Sequence, residues 1–362
     1  MTQEYLFHYF PSYTTGPQAY DRLGEVCLPF GTTTVVVGGH RAMAAAKPAL
    51  DAAAAKSGIH ILEYIWYGGE ASLENAQMVA DNGSFQKADM CFAVGGGKAL
   101  DTGKYASRLI AQKPVFTFPT IAATCAPASA ESIMYYPSGE ARDTYQLGRP
   151  AEHVFINTQI IAEAPDLYLW AGIGDTMAKH FETSSSAQGK ALTYKQALGV
   201  EMGVMCYKPL VQFGAQAIQD CKNNTASNAF EQIVLTNIIT TGAVSGMVGG
   251  TINTSIAHSL CYGLTILPQV EKHHLHGEIV SYGVLVLLMV EDKKDMVEIL
   301  WPLYKAIRLP TRYADLEVRR EELEAVITKT LSVEDITFVP YEVTREMLMT
   351  AIEKLETYNE TH

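Results

Sequence analysis

Twice in the first hundred residues a short β-rich run passes directly into glycines and then into a helical pattern, which restricts the fold more than any other sequence feature. Residues 32–37 (TTTVVV) end in Gly38-Gly39 and lead into an Ala-rich helical pattern reaching about Ser57. Residues 90–94 end in Gly95-Gly96-Gly97, with a helix from Lys98 onward. Residues 59–67 and 114–118 read as further strands, so strands alternate with helices and predict βαβ units in a parallel sheet. Residues 132–136 and 154–157 flank a polar stretch (PSGEARDTYQLGRP) and read as a hairpin attached to that sheet. From about Ile161 the texture changes to long helical patterns at 167–185, 194–213 and 229–248. The expectation is a nucleotide-binding α/β domain with a Rossmann-like parallel sheet over residues 1–160, plus an all-helical domain over residues 161–362. A chain of 362 residues suits two domains.

The charge balance narrows the function classes. With 27 basic against 39 acidic residues and a formal charge of −12, nucleic acid is an unsuitable partner, because phosphate-backbone affinity needs clustered Lys and Arg. The six cysteines contain no CxxC pair and most sit in apolar surroundings, which points to a reducing cytoplasm. The opening MTQEYLFHYFPSY lacks a basic n-region and an unbroken apolar run, so no secretory signal is expected. The most apolar stretch, residues 279–290, is too short to span a bilayer. The expected partner is a small-molecule substrate, with no membrane, and homo-oligomerisation is compatible with this reading.

Ala93 to Lys104 (AVGGGKALDTGK) places three glycines where a buried strand gives way to a helix, exposing backbone N–H groups and a positive helix terminus to a pyrophosphate. A side chain at Gly96 or Gly97 would obstruct that approach. The spacing is not GxGxxG, and a tight strand-to-helix turn without ligand is the plain alternative.

Further along, Asp175 (AGIGDTMAKHFE), His258 (TSIAHSLCYGLT) and His276 (HHLHGEIVSYG) make a two-histidine, one-carboxylate set that would leave coordination positions open, as a catalytic metal site does. Each has an ordinary alternative: a helix cap for Asp175, a hydrogen-bonded core histidine for His258, a surface histidine for His276. His273 and His274 read as loop residues.

Taken together and in this order, GGGKALD, FPTIAATCAPASAES, GIGDTMAKHFE, AHSLCYGLT and HLHGEIVSYG resemble the iron-containing alcohol dehydrogenase family, specifically its zinc-using glycerol dehydrogenase branch. Within that branch TIAATCA, GIGDTMAK and GLTILPQVEK are similar to hydroxycarboxylate dehydrogenases. The resemblance implies a dehydroquinate synthase-like architecture and an NAD(P)-dependent dehydrogenase acting on CH–OH groups. It implies cofactor contacts from Gly39, Gly96, Gly97, Lys98, Asp101, Thr120, Ser129, Glu131 and Tyr135, with Glu131 replacing a usually apolar residue. It implies Asp175, His258 and His276 as ligands of one divalent metal. Where iron enzymes of the family carry a fourth ligand, a histidine four residues after the aspartate, this chain has Lys179, which argues against four-ligand iron; the resemblance to the zinc-using branch favours Zn2+ over Fe2+. Cys125 replaces the aspartate that contacts polyol in glycerol dehydrogenases.

Those departures shape the expected substrate. Lys179 lies four residues after Asp175 and shares its helix face, so it reads as a partner for a substrate carboxylate, with a simple i,i+4 ion pair as the alternative. With His258 on the metal and Cys125 clearing a carboxylate, the expected catalytic set is Lys179, Cys125 and His258, and the expected substrate a small 2-hydroxy acid or its 2-oxo acid. A glycerol or vicinal-diol dehydrogenase is the runner-up, and a dehydroquinate synthase-like lyase the alternative of another class. Cofactor choice leans to NADP: NAD-preferring relatives place an aspartate after the first strand, whereas here Gly38-Gly39-His40-Arg41 carries no acid and offers Arg41 to a 2′-phosphate.

Overall fold

The computed structural model describes residues 12–362; residues 1–11, which make up most of the stretch read above for a secretory signal, lie outside the described residues. Two compact units are found, Met1–Pro165 with Asp220–Val234, and Asp166–Gln219 with Leu235–His362.

The first unit is built on a parallel sheet of β1 (Ser12–Thr15), β2 (Thr33–Gly38), β3 (His60–Trp66), β4 (Met90–Gly95), β5 (Val115–Pro119) and β8 (His153–Ile156), in the order β1-β8-β5-β4-β2-β3. The central strands read as continuous apolar runs because both faces are covered: Val36, Phe92, Phe116 and Phe155 enter one core, and Val35, Val37 and Cys91 the other. Between β2 and β3 runs α1 (His40–Ser57), and α2 (Gly97–Leu109) follows β4. The chain adds β3 on one side of β2 and then β4 on the other, so the strand order reverses between β2 and β4. Ligands of such sheets bind beyond the carboxyl ends of the strands at that reversal.

Residues 132–136 and 154–157 do not form a hairpin: β6 (Glu131–Tyr135) pairs antiparallel with β7 (Ala141–Gln146), which lies inside the stretch read as a polar loop. Largely exposed and polar, β7 (ARDTYQ) carries no apolar alternation to announce it, whereas β8 is buried throughout and enters the main sheet between β1 and β5.

The second unit is helical, with α3 (Asp166–Ala187), α4 (Ile256–Leu264) and α5 (His276–Val290) at its centre. The pattern at 194–213 breaks into Tyr194–Met202, a 3-10 turn at Gly203–Cys206 and Lys208–Lys222, where Pro209 suits a helix start. The pattern at 229–248 contains a π-helical turn at Thr236–Thr240. No helix among the described residues is long and apolar enough to cross a membrane, and none of the six cysteines is in a disulfide.

Candidate functional site

In the first unit the glycine-rich residues collect at the carboxyl edge of the sheet. Gly39 follows β2 and caps α1, Gly95 ends β4, and Gly96 caps α2, whose first residues are Gly97 and Lys98. Gly95 has φ +143°, a region that disfavours side chains, and a Cβ on Gly96 would lie 2.5 Å from Ile121 Cδ1. A Cβ on Gly97 would make only ordinary contacts within the chain. The Thr120 amide, just past β5, donates to Gly95 O at 3.2 Å, so three neighbouring strands deliver Gly39, Gly95–Gly97 and Thr120 to one edge.

The side chains expected around the cofactor separate into two groups. Lys98 pairs with Glu70 (2.6 Å) and its Nζ lies 5.3 Å over the Tyr135 ring. Asp101 points inward and pairs with Lys104 at 2.9 Å; burial pushes its carboxyl up, and the Lys104 ammonium partly offsets this. Lys104, which has no exposed side-chain surface, also donates to Ala126 O (2.8 Å), Ser129 Oγ (3.2 Å) and Glu131 O. Asp101, Ser129 and Glu131 thus share one buried ammonium. The Glu131 carboxylate accepts from Gln146 at 3.0 Å, and Cys125 is half-buried.

In the second unit Asp175, His258 and His276 offer ligand atoms that all lie within 4.8 Å of one another. Asp175 sits mid-way along α3, so it is no helix cap; His258 is in the first turn of α4, and His276 is the first residue of α5. Asp175 Oδ1 is 3.7 Å from His258 Nε2 and 3.6 Å from His276 Nε2. Ligands about 2.0–2.1 Å from a tetrahedral zinc stand about 3.3 Å apart, so this donor set fits a divalent ion with little adjustment.

The close approach depends on glycine. A Cβ on Gly277 in α5 would lie 1.9 Å from Ala171 O of α3, and one on Gly174 would lie 2.2 Å from Gly277 O. Backbone therefore meets backbone beside Asp175 and His276. Burial pushes the Asp175 carboxyl up, but the His258 and His276 side chains and the Lys179 ammonium outweigh it and hold it below its ordinary value. Burial lowers His258, yet the Glu182 and Asp175 carboxylates overcome this and raise it to about 10.

Lys179, one turn after Asp175, is 6% exposed; its Nζ donates to Asn253 Oδ1 (2.7 Å) and Asn253 O (3.3 Å). No carboxylate lies within ion-pair distance of it among the described residues, so the i,i+4 pair with Asp175 does not form. His273 and His274 instead pair with Glu317 and Glu278.

Comparison with known proteins places this arrangement. The family described as iron-containing alcohol dehydrogenase matches residues 11–153. Hydroxycarboxylate dehydrogenase A of Escherichia coli (strain K12) is 34% identical over 326 residues, 88% of this chain and 88% of that one. The chain belongs to the iron-containing alcohol dehydrogenase family. Glycerol dehydrogenase of Thermotoga maritima is 35% identical over 255 residues, covering 69% of this chain and 68% of its own. The crystal structure of a probable glycerol dehydrogenase from Sinorhizobium meliloti 1021 superposes with a TM-score of 0.82 at 25% identity, covering 99% of both chains. As a member of this family the protein is an alcohol-type dehydrogenase, nicotinamide-linked and dependent on a divalent metal.

Three residues of this family member escaped the sequence reading. Glu182 accepts from His258 Nδ1; it follows Asp175 by seven residues and Lys179 by three, a one-face helical spacing that could have flagged it. Lys104, three residues after Asp101, carried a similar signal. Asn253, the partner of Lys179, lies 74 positions away with no local pattern to mark it.

Proposed function

We propose that this dehydrogenase interconverts a small 2-hydroxy acid and its 2-oxo acid, with Lys179 as the partner of the substrate carboxylate. The observation that carries the reading is the Lys179 ammonium: nearly fully buried, one helical turn from Asp175, and held by neutral oxygens of Asn253. A buried ammonium that no carboxylate pairs directly is costly, and an acid substrate supplies an anion at contact distance. The thiol of Cys125, standing where the family resemblance expects a polyol-contacting aspartate, removes a carboxylate that would repel such a substrate.

Asp175, His258 and His276 would hold the ion, with zinc favoured by the resemblance to the zinc-using branch and four-ligand iron disfavoured because lysine stands where iron enzymes of the family have a fourth ligand. Bound, the ion supplies Lewis acidity toward the substrate oxygen and the nicotinamide supplies hydride transfer. The chain's own residues bind and orient. Backbone N–H groups of Gly96 and Gly97 at the start of α2 would hold the pyrophosphate, and Lys179 would fix the acid end of the substrate so that its carbinol carbon is presented in one orientation. Arg41, exposed at the second residue of α1 and without an ion pair among the described residues, selects NADP(H) through the 2′-phosphate.

The glycerol dehydrogenases among the relatives favour a second reading, with a vicinal diol as substrate. One variant separates the two. Lys179→Met is expected to lower kcat/KM for 2-oxo acids by about tenfold or more while sparing uncharged ketones and aldehydes. Equal losses on charged and uncharged substrates, with metal content intact, would reject the acid reading.

A further inference from the structure

We infer that Glu182 is a positioning residue for the metal site: it fixes His258 in the one tautomer and ring orientation that can bind a metal. The inference rests on the assignment of Asp175, His258 and His276 as ligands. Glu182 has no exposed side-chain surface and lies on α3, on the same face as Asp175. Its Oε1 accepts from the backbone N–H of Ser255 (2.7 Å) and of His258 (3.0 Å), and its Oε2 accepts from His258 Nδ1 at 2.5 Å. The two amide bonds alone would account for a residue that merely secures the start of α4. The Oε2 contact does something else.

A neutral imidazole carries a single N–H, and an ionised carboxylate can only accept. In the neutral, metal-binding form of His258 the remaining proton therefore resides on Nδ1, and the lone pair is directed from Nε2, the nitrogen 3.7 Å from Asp175 Oδ1. Because Oε1 also grips the His258 amide, backbone and ring of this one residue are tied to a single carboxylate. Among the described residues His276 has no comparable anchor. Its Nδ1 faces the Cys261 Sγ at 3.6 Å, a weak contact, and 48% of its side chain is exposed. One histidine of the pair is held ready, and the other has freedom to follow the ion.

The test exploits the chemistry of glutamine. In Glu182→Gln the amide oxygen can still accept from Ser255 and His258 N–H while the amide nitrogen donates to Nδ1, which forces the imidazole proton onto Nε2 and blocks ligation. Metal-free wild type, Glu182→Gln and His258→Ala are titrated with Zn2+ and with Co2+ against a chromophoric chelator, and thermal unfolding of the metal-free proteins is recorded alongside. The expected result is a Zn2+ dissociation constant raised roughly 10–100-fold in Glu182→Gln, an altered visible spectrum of its Co2+ form, and a metal-free unfolding temperature close to wild type. Wild-type affinity and spectrum in Glu182→Gln, with affinity lost in His258→Ala, would overturn the positioning role and leave the ligand set standing. Wild-type affinity in His258→Ala would overturn both. Should Glu182→Gln not fold, Glu182→Asp carries the test: it keeps the charge but withdraws the oxygen by one methylene, so a smaller loss of affinity supports the role and unchanged affinity overturns it.

Discussion

Replacing Gly277 with alanine probes the site through its packing rather than its ligands. The new Cβ would lie 1.9 Å from Ala171 O, 2.8 Å from Ala171 C and 3.0 Å from the Asp175 amide nitrogen. All three are backbone atoms of α3, so no side-chain rotation relieves the clash. Ordinary carbon–oxygen contacts begin at about 3.3 Å, so α5 must retreat from α3 by about 1.4 Å at this point. His276 immediately precedes Gly277, so a retreat of this size carries its ring away from Asp175 and His258 by far more than the few tenths of an ångström by which metal–ligand distances vary. Overpacking of this kind costs about 1–3 kcal/mol, or roughly 2–12 °C in Tm for a cooperative unit of this size. Gly277→Ala is therefore expected to lower Tm by that amount in the presence of a chelator and to bind metal at least about tenfold more weakly, read by calorimetry and metal analysis. Gly246→Ala is the control: it lies in the helix Thr241–Val248 with no atom near its absent Cβ, so alanine there should be neutral or stabilising by about 0.5–1 kcal/mol. Wild-type melting and metal content in Gly277→Ala would refute the argument that glycine backbone contact sets the ligand spacing.

Metal analysis of protein purified without chelator should find one divalent ion per chain, zinc in excess of iron, and none in His258→Ala or His276→Ala; full occupancy in both variants would reject the ligand assignment. Steady-state kinetics should favour NADPH over NADH, and Arg41→Ala should reduce that preference by about tenfold or more; a strong NADH preference surviving in the variant would reject the role of Arg41. Lys104→Met should cost about 3–5 kcal/mol in denaturant unfolding, because it strands Asp101 and three carbonyl oxygens in a buried site. A loss below about 1 kcal/mol would mean that water or rearrangement replaces the ammonium.

What could be read from sequence was what local pattern encodes. Residues 32–37 and 90–94 advertise buried parallel strands because both faces are covered, and the glycines after them mark the turn into each helix. Strand β7 was missed because it is itself largely exposed and polar, the buried face of its ribbon being supplied mainly by β6 (Ser132, Met134), and β1 (SYTT) is equally silent. At the site, Asp175, Lys179 and Glu182 are ordered by helical period, so a single face collects them. That this face meets His258 and His276 depends on Gly174 and Gly277, and nothing in either glycine's own neighbourhood tells which distant backbone it will touch. The hydrogen bonds of Lys179 to Asn253 and of Glu182 to His258 span 74 and 76 positions. Long-range pairings of that kind leave no periodic trace.

The first unit is not a continuous piece of chain. Residues Asp220–Val234 return to it, with Glu231 accepting from Thr15 Oγ1 at 2.7 Å and Gln159 donating to Asn224 O at 3.0 Å. On the ribosome, then, the first unit lacks this segment when residue 165 is made and receives it only at residue 234, roughly 3–14 s later at 5–20 residues per second. During that interval the second unit is itself only begun, since residues 235–362, His258 and His276 among them, are not yet made. A gene fragment ending at residue 165 would omit the segment whose Glu231 and Asn224 bond to Thr15 and Gln159.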